Sequence, residues 1–334
     1  MGEIRGGVFV PNETNRHSFG GTETMARGLA NRIEVPLLQE FQIVCSRVRE
    51  LEEDKIRIFW AHDLPGDPES EFLSDPKNHE CFHLYVFVSN WQAQRYIDRY
   101  NIPWSKVAVI PNAIEPFPDL DKSTIDGPAR IVYSTTPHRG LDLLCVAIDV
   151  LSKKHDLIFD VYSSFDAYGW GERDEPYKEL FEAIGDHPNM NYHGFRPNDE
   201  VRSALEQAHC WALPGTWPET SCISLIEAMS AKCACIHSNH AALFETAGPY
   251  TGMYAYTENR MHHVSRIVDN IDQWLFRSYE QSTQIRTFGK LTADFVHSWK
   301  TVSMQWTSVL EGLSAAVTDK SLSHQIYNKE QENV

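Results

Sequence analysis

The chain has 334 residues, of which 42% are hydrophobic and 11% aromatic; these values are typical of a soluble globular protein of about two domains. The formal net charge of −16 makes a nucleic acid an unlikely main partner and gives no support for a basic membrane-docking surface, although contact through a local patch stays open. The seven cysteines form no Cys-x-x-Cys pair, and the N-terminus has no apolar signal core, so we expect a cytoplasmic location. Composition predicts no oligomeric state.

Short apolar runs alternate with helical segments from the N-terminus. The run from Gly7 to Val10 predicts the first strand, and Gly20 and Gly21 then open a predicted helix. Glycine lets a backbone approach a ligand closely, and a helix N-terminus favours negative charge. The alternative is an ordinary turn, and the dinucleotide fingerprint Gly-x-Gly-x-x-Gly is absent.

The runs 41–45 and 55–60 predict two strands, and His62 and Asp63 follow the second. Ligands bind at the carboxyl ends of strands in parallel α/β sheets, so these two residues are candidates for a site. A structural histidine and a turn-capping aspartate are the alternative.

A second series of strands follows a polar segment. Strands are predicted at residues 84–88 and in the segment that begins at residue 107. The Pro- and Asp-rich stretch 119–128 predicts a linker. Residues 129–134 begin the second series, and Arg139 opens the next helix, where a guanidinium can bind a diphosphate. The alternative is a solvated arginine.

The segment from 209 to 237 predicts a strand, a loop, a helix and another strand. Thr220 or Ser221 can cap the helix, whose N-terminus attracts phosphate. Glu219 and Glu227 are separated by about two turns, roughly 12 Å. This spacing suits one carboxylate on a sugar and one on a ribose, joined by a diphosphate. Two solvated glutamates on a surface helix are the alternative.

The run Pro218-Glu-Thr-Ser-Cys-Ile-Ser-Leu-Ile-Glu227 resembles the Glu-x7-Glu signature of retaining glycosyltransferases of family 4, and Phe244-Glu-Thr-Ala-Gly248 resembles that family downstream. The resemblance implies the GT-B fold, an α/β architecture of two Rossmann-like domains that face each other across a cleft. It implies an acceptor domain at 1–118, a linker at 119–128 and a donor domain at 129–294. A helix at about 295–315 is expected to pack back on the first domain, ahead of a polar tail at 319–334.

The resemblance also implies residue roles. Glu219, His62 and Arg139 are the expected catalytic residues, which bind the sugar, position it and hold the diphosphate. The expected donor-binding residues are Gly20, Gly21, Phe195, Arg196, Ser221, Cys222, Ile223 and Glu227. Core packing is the alternative for Phe195. The family usually has a second basic residue where this chain has Ser134, so part of the phosphate clamp is missing. His138 is a candidate replacement.

The implied activity is retaining transfer of a hexosyl or pentosyl group. The donor is a UDP- or GDP-linked sugar, the acceptor is a glycan or other hydroxyl compound, and neither metal nor cofactor is expected. An epimerase or phosphorylase of the same fold, or a non-catalytic subunit that binds sugar nucleotides, is the alternative.

Overall fold

The computed structural model describes residues 3–5, 8–10 and 20–331, with side chains from 20 to 318. Two six-stranded sheets contain all the strands of this described part. The predicted first strand is seen at Val8–Val10, and Gly7 lies outside the described residues.

The first sheet has its strands in chain order, β1 to β6. Only the β1–β2 pair is antiparallel. The strands are β1 Glu3–Arg5, β2 Val8–Val10, β3 Phe41–Cys45, β4 Ile56–Ala61, β5 Leu84–Phe87 and β6 Val107–Val109.

The second sheet is parallel throughout, in the order β12-β11-β10-β7-β8-β9. The strands are β7 Ala129–Tyr133, β8 Leu157–Val161, β9 Met190–Tyr192, β10 Cys210–Leu213, β11 Ala234–Ser238 and β12 Gly252–Tyr254. The strand order reverses between β7 and β10, which makes a crevice at their carboxyl ends.

Helices connect the strands of both sheets. They are α1 Gly21–Ala30, α2 Val35–Leu38, α3 Asn90–Tyr100, α4 Leu141–Ser152, α5 Lys178–Asp186, α6 Asn198–Gln207, α7 Ile223–Ser230, α8 Leu243–Ala247, α9 Arg260–Ile271, α10 Thr283–His297 and α11 Trp299–Gln331. A π-helical turn, Asp272–Arg277, follows α9.

Each sheet is covered by apolar side chains on both faces because parallel strands bury both of their faces. The last helix crosses to the first sheet, where Trp299 and Trp306 join the core formed by Leu29 and Trp60. The chain enters the core of the second sheet already at Ile114 and Phe117.

Two segments cross between the sheets side by side. The N–H of Ile114 donates to the carbonyl of His297 at 2.7 Å, and the N–H of Trp299 donates to the carbonyl of Ile114 at 3.1 Å. Ile114 and Ser298 thus form a short parallel bridge. Both crossings meet at one point, which we call the hinge.

The fold confirms the predicted α/β class, with one sheet that is parallel throughout and one that is parallel except for the β1–β2 pair. The last helix, expected at about 295–315, begins at Trp299 and is separated from α10, because Ser298 takes an extended conformation to pair with Ile114. The predicted polar tail from 319 is helical as far as Gln331, since no Gly or Pro stops the helix there, and residues 332–334 lie outside the described part. None of the helices in the described residues is long and apolar enough to cross a membrane.

Candidate functional site

The loops after β7 and β10 meet at the strand-order reversal. The carbonyl of Arg139 accepts hydrogen bonds from the N–H groups of Gly215 at 3.2 Å and Thr216 at 3.3 Å. Gly140 has a φ of +102°, and a Cβ there would lie 2.7 Å from Pro214. A larger residue at 140 would therefore push the two loops apart, and with them the charged side chains that they carry.

A buried ion pair joins these loops. The Nε of Arg139 donates to Glu219, and the Nη1 of Arg139 donates to the hydroxyl of Thr136. Burial disfavours the charged guanidinium, but the negative charge of Glu219 and the neighbouring polar groups outweigh it and raise the pKa of Arg139. Arg139 therefore stays protonated, and the pair places one positive and one negative charge at the end of the crevice.

Helix α7 begins directly after this pair. Cys222 is its N-cap residue and makes no side-chain capping bond, so neither Thr220 nor Ser221 caps the helix as the sequence pattern indicated. The side chain of Ile223 lies close to the first domain. A Cβ on Gly21 would be only 3.3 Å from its Cδ1. The first turn of α7 thus faces the start of α1 across the cleft.

Gly20 is packed from the other domain as well. A Cβ on Gly20 would lie 2.8 Å from the ring of Tyr168. Tyr168 belongs to a 3-10 turn, Phe165–Tyr168, in the polar segment after β8. Only glycine allows this close approach of α1 to the second domain.

His62 lies at the carboxyl end of β4 and reaches the same cleft through its backbone. Its carbonyl accepts a hydrogen bond from the hydroxyl of Thr220 at 2.9 Å. Its Nε2 is buried and has no hydrogen-bond partner, and burial lowers the pKa of His62 to about 3. The imidazole is therefore neutral at pH 7. The backbone contact with Thr220 connects His62 to the residue that follows Glu219.

Glu227 lies on α7, and only 6% of its surface is exposed. Its Oε1 accepts from Arg202 at 3.0 Å and Asn198 at 3.2 Å. Burial raises the pKa of Glu227, and Arg202 and Asn198 partly offset this effect. A buried carboxylate held by two donors is not the solvated surface glutamate of the alternative interpretation.

Phe195 and Arg196 lie just before α6, the helix that supplies Asn198 and Arg202. Arg196 donates to the carbonyl of Phe195 at 2.9 Å and pairs with Glu200 at 3.6 Å. These two partners of Arg196 are both close to it in sequence.

Ser134 fills the position where a basic residue was expected. Its hydroxyl accepts from the indole N–H of Trp211 at 3.1 Å, and its carbonyl accepts from the hydroxyl of Ser224 at 3.0 Å. His138 adds no positive charge at pH 7, because burial, with Arg139 nearby, lowers its pKa to about 4.

Hydrogen bonds that the sequence did not predict also join the two domains across the cleft. The carbonyl of Thr220 accepts from the hydroxyl of Ser89 at 2.6 Å. Glu245 accepts from the backbone N–H groups of Asn90 at 2.8 Å and Trp91 at 2.9 Å, which begin α3 of the first domain. We call these contacts of Thr220 and Glu245 the domain clasp.

Sequence reasoning missed Thr136, Tyr168, Asn198 and Arg202 as partners of the site. Asn198 and Arg202 are spaced four residues apart on α6, so they face one side of that helix. That spacing is the sequence pattern from which a shared partner of the two residues could have been predicted. Nothing local to Tyr168 indicates its contact with Gly20. No cluster of three or more potential metal-ligating side chains occurs among the described residues.

Residues 128–290, just under half of the chain, match the family model "Glycosyl transferases group 1". No curated protein matches the sequence.

Similar solved structures cover both sheets. The pneumococcal O-GlcNAc transferase GtfA, in complex with UDP and GlcNAc, has a TM-score of 0.62 at 14% identity over 78% of this chain and 53% of its own. A glycosyltransferase from Rickettsia africae has a TM-score of 0.62 at 14% identity over 91% of this chain and 84% of its own. Anabaena HepE, in complex with UDP and glucose, has a TM-score of 0.62 at 14% identity over 77% of this chain and 72% of its own.

The chain spans about half the length of GtfA. At these identities the structural matches establish the fold, whereas the family model concerns the part of the chain that carries Arg139, Glu219 and Glu227. The protein therefore has the GT-B fold, and its second domain matches the group 1 glycosyltransferases.

Proposed function

We propose that the protein is a retaining glycosyltransferase of the family 4 type, which moves a hexosyl or pentosyl group from a nucleotide-diphosphate sugar to a hydroxyl group of a glycan or other acceptor. The observation that carries this proposal is the buried Arg139–Glu219 pair at the start of α7. Ile223, four residues after Glu219, lies next to Gly21 across the cleft, so the charged pair and a close approach of the first domain occur at the same end of α7.

The donor lies along α7 in this proposal. Glu227 binds the ribose hydroxyls, Glu219 binds the sugar, and Phe195 and Arg196 border the base. Arg139 and the N–H groups of Ser221, Cys222 and Ile223 hold the diphosphate, because a guanidinium and a helix N-terminus both favour phosphate.

The difficult step is departure of the diphosphate, which gains negative charge as the glycosidic bond breaks. Arg139 and the first turn of α7 stabilise that charge without a metal ion. The acceptor hydroxyl attacks from the face that the diphosphate leaves, and the departing phosphate oxygen takes its proton. The configuration at the sugar carbon is therefore retained.

His62 positions the sugar in this scheme. A neutral imidazole with a buried and unpartnered Nε2 can donate to or accept from a sugar hydroxyl. A hydroxyl group of the bound sugar would give the Nε2 of His62 the hydrogen-bond partner that it otherwise lacks.

UDP is the nucleotide that we favour. GtfA and HepE were both solved in complex with UDP, and HepE also with UDP-glucose. All seven cysteines are free thiols, which supports a reducing, cytoplasmic compartment.

A non-catalytic sugar-nucleotide binding subunit is the second candidate. It is favoured by Ser134, whose hydroxyl serves Trp211 where a phosphate-binding side chain was expected. Such a subunit would bind the donor and leave it intact.

The deciding experiment is thermal unfolding with UDP, GDP, ADP, CDP and TDP, with and without EDTA, followed by product analysis with the matching sugar nucleotide. We expect one diphosphate to raise the Tm whether or not EDTA is present, since a ligand that binds only the folded state stabilises it. Transfer to an acceptor with retained configuration would support the transferase. Binding without turnover would support the subunit, and no shift with any nucleotide would contradict both.

A further inference from the structure

Helix α10 has the reverse of the usual polarity. Four large apolar side chains point to solvent, with exposures of 41% for Ile285, 48% for Phe288, 58% for Leu291 and 78% for Phe295. Surface helices normally turn such residues inward. We call these four residues the α10 stripe.

The charged residues of α10 are directed inward instead. Arg286 donates to the carbonyls of Lys122 at 2.9 Å and Tyr279 at 2.9 Å. Lys290 donates to the carbonyl of Phe117 at 2.6 Å and pairs with Asp294 at 2.8 Å. Because these side chains anchor the helix, α10 cannot rotate to bury the stripe without leaving buried charges unpaired.

Asp294 is half-buried and pairs with Lys290, so no fully exposed position of α10 carries a formal charge. Besides the stripe, its solvent-facing and half-buried positions include Gln284, Thr287, Thr292 and Val296. The whole chain has a net charge of −16, so two copies repel each other over most of their surface. An uncharged apolar face is where two copies can approach, and depletion of charge is typical of interface cores.

The size of the stripe suits the centre of a dimer interface. At about 200 Å² for a fully exposed large side chain, the four exposed fractions correspond to roughly 450 Å² of apolar surface. A standard interface covers about 800 Å² on each partner, with an apolar centre and a polar rim.

We propose that the α10 stripe pairs with the same stripe of a second copy of this chain in a two-fold dimer. A two-fold axis brings the same patch of both copies together, so a patch without charges needs no complementary pattern. An anionic membrane is a poorer occupant, because the basic side chains of α10 are tied to backbone carbonyls and do not flank the stripe.

Dimerisation through α10 would join the two copies at their second domains. The stripe shares no residue with the candidate site, so each cleft would stay free to take a donor. The inference does not rest on the proposed glycosyltransferase activity.

The test is the molar mass in solution, measured by light scattering after size exclusion over a range of micromolar concentrations. We expect the wild type to reach about twice the 38.3 kDa of one chain. Leu291→Asp should raise the dissociation constant at least about tenfold, because it would bury two unpaired carboxylates. The matched control is Met261→Asp on α9, which makes the same change at a side chain that is 75% exposed outside the stripe.

Circular dichroism and the Tm of each variant show whether it is still folded. If Leu291→Asp unfolds, Phe295→Ser replaces it, since Phe295 is the most exposed member of the stripe. A monomeric wild type at all concentrations would overturn the proposal, as would equal effects of Leu291→Asp and Met261→Asp. Flotation of a monomeric wild type with anionic phospholipid vesicles, lost in Leu291→Asp, would assign the stripe to a membrane and overturn the proposal too.

Discussion

At the scale of single residues, the site is built from charges that are already paired. Arg139 holds Glu219, and Arg202 holds Glu227. The two residues of each pair are distant in sequence. The sequence motif therefore pointed to Glu219 and Glu227 but did not predict that they are buried. Only the fold shows that both are enclosed and neutralised.

Glu227→Gln should raise the KM for the donor with little effect on kcat. In the proposed function Glu227 accepts hydrogen bonds from the ribose hydroxyls, and the substitution removes its charge. A hydrogen bond to a charged group contributes about 1.5–3 kcal/mol, or roughly 10- to 100-fold in binding. Steady-state kinetics with varied donor concentration measures this change. Glu206→Gln, at an exposed position of α6, is the control. An unchanged donor KM would remove Glu227 from the site.

Because burial lowers the pKa of His62, we expect this residue to make the stability of the protein depend on pH. Its pKa is about 3 in the folded protein and 6.5 when exposed, so between these values the unfolded chain binds more protons, and stability falls as the pH falls. His62→Gln removes this contribution, about 2 kcal/mol between about pH 7 and pH 5. Denaturant unfolding at both pH values should show a smaller loss for His62→Gln than for wild type. Replacement of the exposed His262 by Gln serves as the control, and an equal loss in all three proteins would contradict the prediction.

At the scale of elements, tertiary contacts override local patterns. No Gly or Pro lies between α10 and α11, but Ser298 takes an extended conformation to pair with Ile114 and separates the two helices. Thr220 has the residue type of a cap, but its hydroxyl donates to the carbonyl of His62 in the other domain. The predicted strands agree closely with the observed ones, because apolar runs bounded by turns determine them locally. The domain clasp depends on how the two domains meet, which no local pattern encodes.

Glu245→Gln should loosen the clasp at the start of α3. The carboxylate accepts from two backbone N–H groups at a helix N-terminus, where a negative charge is favoured. We expect the amides of Asn90 and Trp91 to exchange hydrogen roughly tenfold faster. Hydrogen exchange with mass analysis of this segment measures the effect. The exposed Glu258→Gln is the control, and unchanged exchange at α3 would show that the carboxylate does not hold the domains together.

The packing of α11 on α1 depends on a glycine. A Cβ on Gly28 would overlap the ring of Trp299, so Gly28→Ala should lower the free energy of unfolding by about 1–3 kcal/mol. Gly312→Ala in α11 is the matched control, because nothing lies within 4 Å of a Cβ there, and it should stabilise the protein by about 0.5–1 kcal/mol. Chemical denaturation of both variants tests the pair, and equal effects would refute the close contact.

At the scale of the whole molecule, the sequence indicated two α/β domains, and the structure has two largely parallel sheets with the GT-B arrangement. Composition, strand periodicity and the Glu-x7-Glu resemblance were sufficient for this, because they report local and average properties. The α10 stripe was not foreseen, since its periodicity is that of any amphipathic helix. Which face is buried depends on the carbonyls that Arg286 and Lys290 reach.

The hinge at Ile114 and Ser298 limits how the cleft can open. A single connecting strand would let one domain swivel in any direction relative to the other. Here two adjacent segments form a single bridge, with one backbone hydrogen bond in each direction at the crossing point. Twisting would tear those bonds, whereas bending about the line through them would not. We therefore expect the cleft to open by bending about this bridge, and such bending would separate the hydroxyl of Thr220 from the carbonyl of His62.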